Sequence, residues 1–465
     1  MSEPIGTESH PLRVAVIGSG PSGYYAAEEL LKQESPRVRV DLFDRLPTPY
    51  GLVRGGVAPD HPKIKSVIKI YERTSGRPGF RFFGHVNAGS DLALEELLRH
   101  YHQVLFCTGS ETDRRMGIPG EDLPGSHPAT IFVGWYNGHP DYTHHRFDLD
   151  AERVAVIGNG NVAMDVVRIL ATPTRELAKT DIADYALEAL GRSRVREIHL
   201  LGRRGPAQAA FTNPEIRELC EIDGADLVIR PEDLELDEAS RAFLAAQSEP
   251  TYRRNMEILT GQAKKGEGSQ PRKIRARFLV SPVAILGQGR VEAIRLEKNR
   301  LVPDDSGTVR AQGTGEFEEL PAGMVFRSIG YKGLPLPGLP FDERAGTVPH
   351  RAGRALDPVS GQPVPRVYVA GWIKRGPSGV IGTNKNDAIE SVRSMLADLP
   401  QLNAGAGFDP DPEAIPTLLR RKGVRWVSFA DWKRIDAAET ARGQAQGRPR
   451  VKFTAVDEML ALLGE

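Results

Sequence analysis

Cysteine is nearly absent from this sequence: Cys107 and Cys220 are the only two among 465 residues. Two thiols so far apart exclude a disulfide framework, a cysteine-ligated iron–sulfur cluster and a CxxC redox pair. Low cysteine content is typical of proteins from reducing compartments, so we expect a cytoplasmic location. Cys107 stands in an apolar run and is expected to be a buried, inert thiol.

Net charge and long apolar runs are also missing. Lysine and arginine together number 61, as do aspartate and glutamate. This balance excludes a global attraction to nucleic acid or to an anionic membrane, so charge-based recognition of a partner must be local. No apolar run approaches the ~18 residues of a membrane span, and the opening residues lack the pattern of a signal or transit peptide. We expect no nucleic-acid partner and no stable membrane insertion, and no metal site is predicted.

A complete GxGxxG motif follows the first apolar run. The run LRVAVIG (12–18) is typical of a strand buried on both faces, and a helix-like segment and a second strand (37–43) follow it. Gly18 permits the tight turn, Gly20 lets a pyrophosphate approach the backbone, and Gly23 allows the helix to pack closely on the strand. Phosphates would face free N–H groups at the helix N-terminus. The pattern predicts a dinucleotide site.

An acidic residue is expected about 20 residues after such a turn, at the end of the second strand. Asp44 ends the segment VDLFD and is the predicted acceptor for ribose hydroxyls. Asp41 is the second candidate. The alternative to nucleotide binding is a turn with a purely structural role.

The same pattern restarts at residue 153. RVAVIGNGNVAMDVVRIL (153–170) nearly repeats RVAVIGSGPSGYYAAEEL (13–30), which predicts a second nucleotide-binding unit. Its turn has the GxGxxA form, with Gly158, Gly160 and Ala163 at the three motif positions.

The second strand of this repeat, REIHLLGRR (196–204), ends in Arg203 and Arg204 instead of an acid. A carboxylate would repel the 2′-phosphate of NADP, whereas two guanidinium groups would bind it. The position therefore predicts NADP(H) rather than NAD(H). The alternative is a pair of solvated surface arginines.

Two dinucleotide sites in one chain suggest one cofactor that is held, a flavin dinucleotide, and one that is exchanged, NADPH. We predict an α/β fold with two Rossmann-like domains, the NADP domain being inserted in a discontinuous FAD domain. The predicted bounds are 1–109 and 331–465 for the FAD domain, whose second part carries a C-terminal helical extension, and 110–330 for the NADP domain. Within the latter, 278–287 and 291–299 resemble antiparallel strands.

Six segments together resemble adrenodoxin reductase and its bacterial ferredoxin–NADP(+) reductase relatives. They are LPTPYGLVRGGVAPDHPKIK (46–65), IPGEDLPG (118–125), FVGWYNGHP (132–140), GNGNVAMDVVRIL (158–170), GRRGPAQAAFT (202–212) and GWIKRGPSGVIGTNK (371–385). The resemblance covers nearly the whole chain from residue 13 to about residue 390. It implies FAD in the first site, NADPH in the second, and a ferredoxin or adrenodoxin-like iron–sulfur protein as electron acceptor.

The resemblance also implies individual contact residues. The FAD contacts carried over from the family are Ser22, Asp44, Leu52, Ala88, Trp372, Gly379, Val380 and Ile381. The NADP contacts carried over are Asn159, Gly160, Asn161, Val162, Arg203, Arg204, Glu215 and again Gly379. Relatives usually carry glutamate where Asp44 stands, and Ala88 is expected to act through its backbone.

His61 and Glu218 are the candidate catalytic residues. His61 lies between Pro59 and Pro62, whose rings stiffen the backbone. The resemblance places this histidine near the flavin, with Glu218 as its partner, for proton handling or nicotinamide positioning. The alternative is a structural histidine and a surface glutamate.

Two further expectations concern the late part of the chain. The glycine-rich segment 375–388 becomes helix-like, and its helix N-terminus is predicted to stabilise the negative charge of reduced flavin. One-electron carrier proteins are commonly acidic, so a local basic patch is expected, with Arg203, Arg217, Lys374 and Arg375 as candidates.

The predicted function is therefore an FAD-dependent ferredoxin–NADP(+) reductase. The alternatives are another NADPH-dependent flavoprotein, such as a monooxygenase or a diaphorase-like quinone reductase, and a non-catalytic dinucleotide-sensing protein. The pair Gly371-Trp372 favours the reductase, because the broader group of two-domain flavoproteins carries aspartate after this glycine.

Overall fold

The computed structural model describes residues 4–304, 309–403 and 407–464. Within them the chain forms two compact units. The discontinuous unit comprises residues up to 112, 330–446 and 450 onward, and the inserted unit comprises 113–329 together with 447–449. Each unit has its own mainly parallel sheet, which is the predicted α/β fold with two Rossmann-like parts.

The strands, in chain order, are β1 (Leu12–Ile17), β2 (Val38–Phe43), β3 (Phe80–Phe83), β4 (Gln103–Phe106), β5 (Thr112–Asp113), β6 (Ser126–Pro128), β7 (Arg153–Ile157), β8 (Glu197–Leu201), β9 (Ala225–Val228), β10 (Arg272–Arg277), β11 (Val280–Leu286), β12 (Ala293–Pro303), β13 (Val309–Pro321), β14 (Met324–Arg327), β15 (Tyr331–Lys332), β16 (His350–Arg351), β17 (Arg354–Leu356) and β18 (Pro363–Val369).

The α-helices are α1 (Pro21–Leu31), α2 (Leu52–Gly55), α3 (Pro62–Lys65), α4 (Ile68–Ser75), α5 (Leu94–His100), α6 (Ala129–Tyr136), α7 (Asn161–Ala171), α8 (Thr174–Leu177), α9 (Asp184–Gly191), α10 (Asn213–Cys220), α11 (Glu238–Ala246), α12 (Thr251–Ala263), α13 (Trp372–Arg375), α14 (Thr383–Ala397), α15 (Ala414–Arg421), α16 (Phe429–Gln444) and α17 (Val456–Leu462). Short 3-10 helices occupy Pro140–Tyr142, Pro206–Gln208, Pro231–Leu234 and Leu399–Gln401. No helix in the described part of the chain is long and apolar enough to cross a membrane.

The discontinuous unit contains a seven-stranded sheet in the order β16-β17-β18-β4-β1-β2-β3. Strands β18, β4, β1, β2 and β3 run parallel, and β16 and β17 form an antiparallel edge. All six residues of β1 are buried, as expected for a parallel strand covered on both faces. The turn from β1 into α1 therefore lies at the carboxyl edge of the sheet, where folds of this class bind nucleotides.

The inserted unit contains a six-stranded sheet in the order β6-β14-β7-β8-β10-β9, with every pairing parallel. The chain turns from β7 into α7 at the second glycine-rich motif. A separate antiparallel sheet has the order β11-β12-β13, which confirms the antiparallel strands predicted over 278–287 and 291–299.

Helices α11 and α12 precede that antiparallel sheet and are not predicted from the sequence. The buried positions of α12 are Asn255, Leu259 and Gln262, two of which are polar. A helix that buries amides through hydrogen bonds has no clear apolar stripe, so the 3.6-residue period that reveals most helices is missing.

The C-terminal extension, defined here as residues 407–464, carries α15, α16 and α17, in agreement with the helices predicted there. Ser428 and Asp431 form a capping box that fixes the start of α16. Leu419, Trp432 and Ile435 are buried in the hydrophobic cores of the discontinuous unit. The extension is therefore part of that unit's core rather than a surface appendage.

Candidate active site

The first glycine-rich turn has the geometry of a phosphate-binding loop. Gly18 has a φ of +104°, and an added Cβ there would lie 2.5 Å from the carbonyl oxygen of Cys107. A Cβ at Gly23 would lie 2.0 Å from the carbonyl oxygen of Gly18, whereas one at Gly20 would meet no described atom within 4 Å. No side chain caps α1, which begins at Pro21. The open backbone at Gly20 and the uncapped N–H groups fit a pyrophosphate.

Asp44 follows β2 and lies beside this turn. Its Oδ2 accepts hydrogen bonds from the backbone N–H of Ser19 at 3.0 Å and from the Ser19 hydroxyl. Its Oδ1 accepts the backbone N–H of Leu46 at 3.0 Å. The carboxylate is half-buried at the end of the strand, which is the position of a ribose-binding acid in this fold.

Asp41, the second candidate, is committed to the core. Its carboxylate accepts two hydrogen bonds from Arg81, at 2.8 and 2.6 Å, and one from the Tyr101 hydroxyl at 2.6 Å. Arg13 lies 3.4 Å away, and the Asp41 side chain is 5% exposed. Between the two candidates, this geometry favours Asp44 for the ribose.

A buried hydrogen-bond donor lacks a protein partner near the first turn. An added Cβ at Gly371 would lie 2.4 Å from Ser22 Oγ, so the backbone before α13 passes close to the start of α1. The next residue, Trp372, has a buried Nε1 with no hydrogen-bond partner among the described residues. Such a donor is costly when it is unpaired. A cofactor carbonyl would satisfy it, which is a second reason why these residues fit FAD.

The other predicted FAD residues lie in three different segments of the discontinuous unit. Leu52 begins α2 and is 38% exposed, and Ala88 is half-buried. Gly379, Val380 and Ile381 precede α14, whose N-terminus has no side-chain cap. The predicted helix after the 375–382 loop is thus present, and the first-turn N–H groups of Thr383, Asn384 and Lys385 donate to the backbone carbonyl oxygens of Val380, Ile381 and Gly382.

The second glycine-rich turn repeats the design of the first. Gly158 has a φ of +112°, and a Cβ there would lie 2.1 Å from the carbonyl oxygen of Ser328. A Cβ at Gly160 would meet no described atom within 4 Å, and α7 starts without a side-chain cap. Asn161 Oδ1 accepts the backbone N–H of Thr212 at 3.0 Å.

An unsatisfied donor is present at this turn as well. Asn159 Nδ2 is buried and has no hydrogen-bond partner among the described residues. The Asn159 side chain lies close to Gly202, where an added Cβ would be 2.7 Å from Nδ2. Val162, the next predicted contact, is half-buried in the first turn of α7. The turn thus fits a second dinucleotide.

Arg203 and Arg204 follow β8 without a carboxylate to neutralise them. Arg203 is exposed and Arg204 is half-buried, and neither forms an ion pair with any described residue. Burial lowers the pKa of Arg204, and the charge of Arg203 lowers it further. Two adjacent, mutually repelling guanidinium groups would be stabilised by a dianion, as the 2′-phosphate of NADP is.

Glu215 and Glu218 are brought together on α10 by a buried arginine. Arg168 Nη1 lies 3.0 Å from Glu215 Oε2 and 3.5 Å from Glu218 Oε2, and its Nη2 lies 2.5 Å from Asp165. Glu215 is buried, whereas the Glu218 side chain is 42% exposed. Their separation of three residues places both carboxylates on one helix face.

His61 belongs to the discontinuous unit, and Glu218 belongs to the inserted unit. His61 is half-buried and is the N-cap residue of α3, directly before Pro62. The pairing of His61 with Glu218 stays a prediction.

Lys374 is not part of a basic surface, so that expectation was wrong. The Lys374 side chain is 2% exposed, and its Nζ lies 2.9 Å from Asp387 and 2.5 Å from Glu390. The neighbouring Arg375 donates to Ser378 and to Asn384 on the following segment. Both bases stabilise the turn into α14, where their charges are locally balanced.

Some residues beside the first turn are not predicted from the sequence. Tyr50 and Arg54 flank Leu52, and both contact α16 through Trp432 and Glu439. These partners are separated by more than 380 positions in the chain, so no local spacing reveals them. In the sequence, the capping-box residues Ser428 and Asp431 indicate where α16 begins, but nothing indicates which segment it contacts.

Comparison with known proteins gives consistent matches along the whole chain. A family model described as pyridine nucleotide-disulphide oxidoreductase matches residues 12–219. NADPH-ferredoxin reductase FprA of Mycobacterium tuberculosis is 47% identical, the match covering 97% of this chain and 99% of that protein. The mitochondrial NADPH:adrenodoxin oxidoreductase of Homo sapiens is 42% identical, covering 98% and 93%. The solved structure of M. tuberculosis FprA in complex with NADPH matches with a TM-score of 0.91 at 46% identity, covering 98% of this chain and 100% of that one.

Proposed function

This chain belongs to the adrenodoxin reductase-type ferredoxin–NADP(+) reductases, and from that membership we propose that it moves hydride between NADPH and FAD. Single electrons then pass to a ferredoxin or adrenodoxin-like iron–sulfur protein. The observation that carries this proposal is the contrast between two equivalent strand ends: Asp44 follows β2, and Arg203 and Arg204 follow β8. An acid suits a ribose, whereas paired arginines suit a phosphate.

The discontinuous unit is assigned to FAD. Gly20 and the first turn of α1 would hold the pyrophosphate, Asp44 the ribose, and Trp372 Nε1 a carbonyl of the cofactor. Bound FAD supplies the chemistry that joins a two-electron donor to a one-electron acceptor. The positive end of the α14 dipole would stabilise the negative charge of the reduced ring.

The inserted unit is assigned to NADP(H). Gly160 and the first turn of α7 would hold the pyrophosphate, and Arg203 and Arg204 the 2′-phosphate. Arg168 fixes the rotamers of Glu215 and so prepares this carboxylate for its predicted contact with the coenzyme. This arrangement favours a coenzyme that carries the phosphate over one that lacks it.

His61 and Glu218 are proposed to handle a proton or to position the nicotinamide. The test is stopped-flow reduction of the bound flavin by NADPH in the variants His61→Ala and Glu218→Gln. A role at the reacting atoms predicts at least a tenfold slower flavin reduction, because a positioned acid or base usually contributes roughly 10²–10⁴-fold. Unchanged hydride transfer in both variants would leave them with structural roles alone.

A cytoplasmic location is part of the proposal. Cys107 is buried, Cys220 is half-buried, and both are free thiols. A protein that keeps two free thiols fits a reducing compartment.

The direct test of the proposed function mixes the purified protein with NADPH and a set of ferredoxins and follows reduction of each carrier by absorbance. The protein as isolated should be yellow, should be bleached by NADPH, and should reduce at least one ferredoxin catalytically. Strong loss of carrier reduction with added salt would support electrostatic docking. A colourless protein that binds NADPH without redox chemistry would support the dinucleotide-sensing alternative, and NADPH oxidation that requires an organic substrate would support a monooxygenase.

A further inference from the structure

The C-terminal extension reaches the first dinucleotide turn through one buried carboxylate. Glu439 lies in the middle of α16, and its side chain is fully buried. Its Oε2 accepts a hydrogen bond from Arg54 Nη1 at 2.8 Å, and its Oε1 accepts one from Arg54 Nη2 at 2.5 Å. This bidentate pair joins α16 to α2, the short helix that begins at Leu52.

Two more groups hold the same carboxylate. Arg450 Nη1 lies 3.1 Å from Glu439 Oε2, and the backbone N–H of Phe453 donates to Oε1 at 2.9 Å. Burial alone would raise the pKa of Glu439, but Arg54, Arg450 and this N–H lower it below its ordinary value. The carboxylate is therefore a charged, fully bonded centre that ties three segments of the discontinuous unit together.

Aromatic contacts reinforce this connection on both sides of Leu52. Trp432 Nε1 donates to the Tyr50 hydroxyl at 3.3 Å, and the two rings meet edge to face with centroids 5.8 Å apart. The Arg54 guanidinium lies 5.1 Å from the Trp432 ring. Lys452 Nζ donates to the carbonyl oxygen of Arg54 at 3.3 Å. The extension thus holds the residues before and after Leu52 but leaves Leu52 itself uncovered.

The segment so held, residues 46–56, packs directly on the first glycine-rich turn. The backbone N–H of Tyr50 donates to the carbonyl oxygen of Ser19 at 3.0 Å. Gly51 has a φ of +49°, and an added Cβ there would lie 2.9 Å from the Cα of Gly20. The segment is therefore clamped between the phosphate-binding turn on one side and α16 on the other.

We propose that Glu439 is a positioning residue of the flavin site, and that through Arg54 it holds segment 46–56 against the Gly20 turn so that FAD is retained. The inference rests on the proposed function only in that FAD occupies the discontinuous unit. It gives the C-terminal extension a specific role: without its clamp, the segment that carries Leu52 moves away from the turn and the cofactor dissociates faster. Glu439 acts through Arg54 and does not touch the reacting atoms.

The test compares Glu439→Gln with a control of matched burial in the same unit. Asp41→Asn also removes a buried carboxylate charge that pairs with two arginines, but Asp41 forms no hydrogen bond or ion pair with segment 46–56 among the described residues. Both variants should lower the melting temperature. Only Glu439→Gln should speed FAD release at least tenfold, followed by flavin fluorescence, and change the visible circular dichroism of the bound flavin.

A second pair of variants tests the route through Arg54. If Glu439 acts through Arg54, the double variant Arg54→Gln/Glu439→Gln should release FAD no faster than the worse single variant. Trp432→Phe keeps an aromatic side chain but removes the indole N–H that donates to Tyr50. It should speed FAD release about threefold, the effect of losing one neutral hydrogen bond, and it keeps the test available if Glu439→Gln does not fold.

The proposal would be overturned if Glu439→Gln and Asp41→Asn released FAD at the same rate, or if Trp432→Phe released it as slowly as the wild type. The extension would then only stabilise the fold. A wild-type protein that holds no flavin would instead refute the assignment of FAD to this unit. The two failures are therefore distinguishable, because the first concerns the variants and the second the parent protein.

Discussion

The arginine pair after β8 permits a quantitative prediction of coenzyme preference. The perturbation is the double variant Arg203→Ala/Arg204→Ala, together with each single variant. NADPH and NADH differ only in the 2′-phosphate, so any group that binds this phosphate affects one coenzyme and spares the other. The ratio of kcat/KM values for the two coenzymes therefore isolates the contribution of the arginines.

The structure sets the size of each contribution. Arg204 is half-buried and unpaired, so a charged hydrogen bond from it is worth about 2 kcal/mol. Arg203 is exposed, and solvent screening reduces its share to about 0.5–1 kcal/mol. The sum of about 2.5–3 kcal/mol corresponds to a loss of roughly 100-fold in kcat/KM for NADPH. We expect roughly 30-fold from Arg204→Ala and 2- to 5-fold from Arg203→Ala.

The assay is steady-state reduction of ferricyanide, which accepts electrons without a docked carrier. NADH turnover should stay within twofold of the parent protein in all three variants. Arg295→Ala is the matched control, because Arg295 is exposed on β12 of the same unit and lies over the Phe317 ring. Equal losses with NADPH and NADH would refute the reasoning and make the arginines structural.

Three further predictions concern the first turn, acid stability and the thiols. Gly23→Ala should destabilise the protein by on the order of 3 kcal/mol, because the new Cβ would lie 2.0 Å from the carbonyl oxygen of Gly18. Gly20→Ala adds a Cβ in open space, so it should keep the apoprotein's melting temperature and weaken FAD binding. Burial lowers the pKa of His102 to about 4, so between pH 6.5 and pH 4 the unfolded chain takes up a proton that the folded protein does not. At pH 5 this difference in protonation should lower the free energy of unfolding by about 2 kcal/mol. The free energy of unfolding should therefore depend less steeply on pH in His102→Gln. Burial raises the pKa of Cys107 and raises that of Cys220 to about 11, so neither thiol should react quickly with a disulfide reagent at pH 8, and a fast-reacting thiol in the native protein would contradict this.

The two nucleotide-binding turns could be predicted because their determinants are local. Gly18 and Gly158 both need a left-handed backbone at a strand end, and this requirement is written in a few adjacent positions. The same local pattern accounts for the parallel pairing of the first two strands of each repeat, β1 with β2 and β7 with β8. The places of β4, β18 and β14 beside them depend on pairings between distant segments.

The environment of charged residues could not be predicted in the same way. Lys374 looks like a surface base in the sequence, but Asp387 and Glu390, on the next helix, surround it. Glu439 looks like a solvated helix residue, yet it is buried against an arginine 385 positions earlier. Such pairings depend on which helices and strands become neighbours in the folded protein. No short sequence pattern indicates these long-range neighbours, so the pairings cannot be predicted from one sequence.

The clamp at Glu439 also has a consequence for biosynthesis. Arg54 is added to the growing chain 385 residues before Glu439, which at about 5–20 residues per second is an interval of roughly 20–80 seconds. The strand β18, which pairs with β4, is also added late. During this interval the nascent chain carries a complete phosphate-binding turn without its clamp. Cofactor capture should therefore wait for the synthesis of α16, and ribosome-bound chains that end before α16 should not retain flavin.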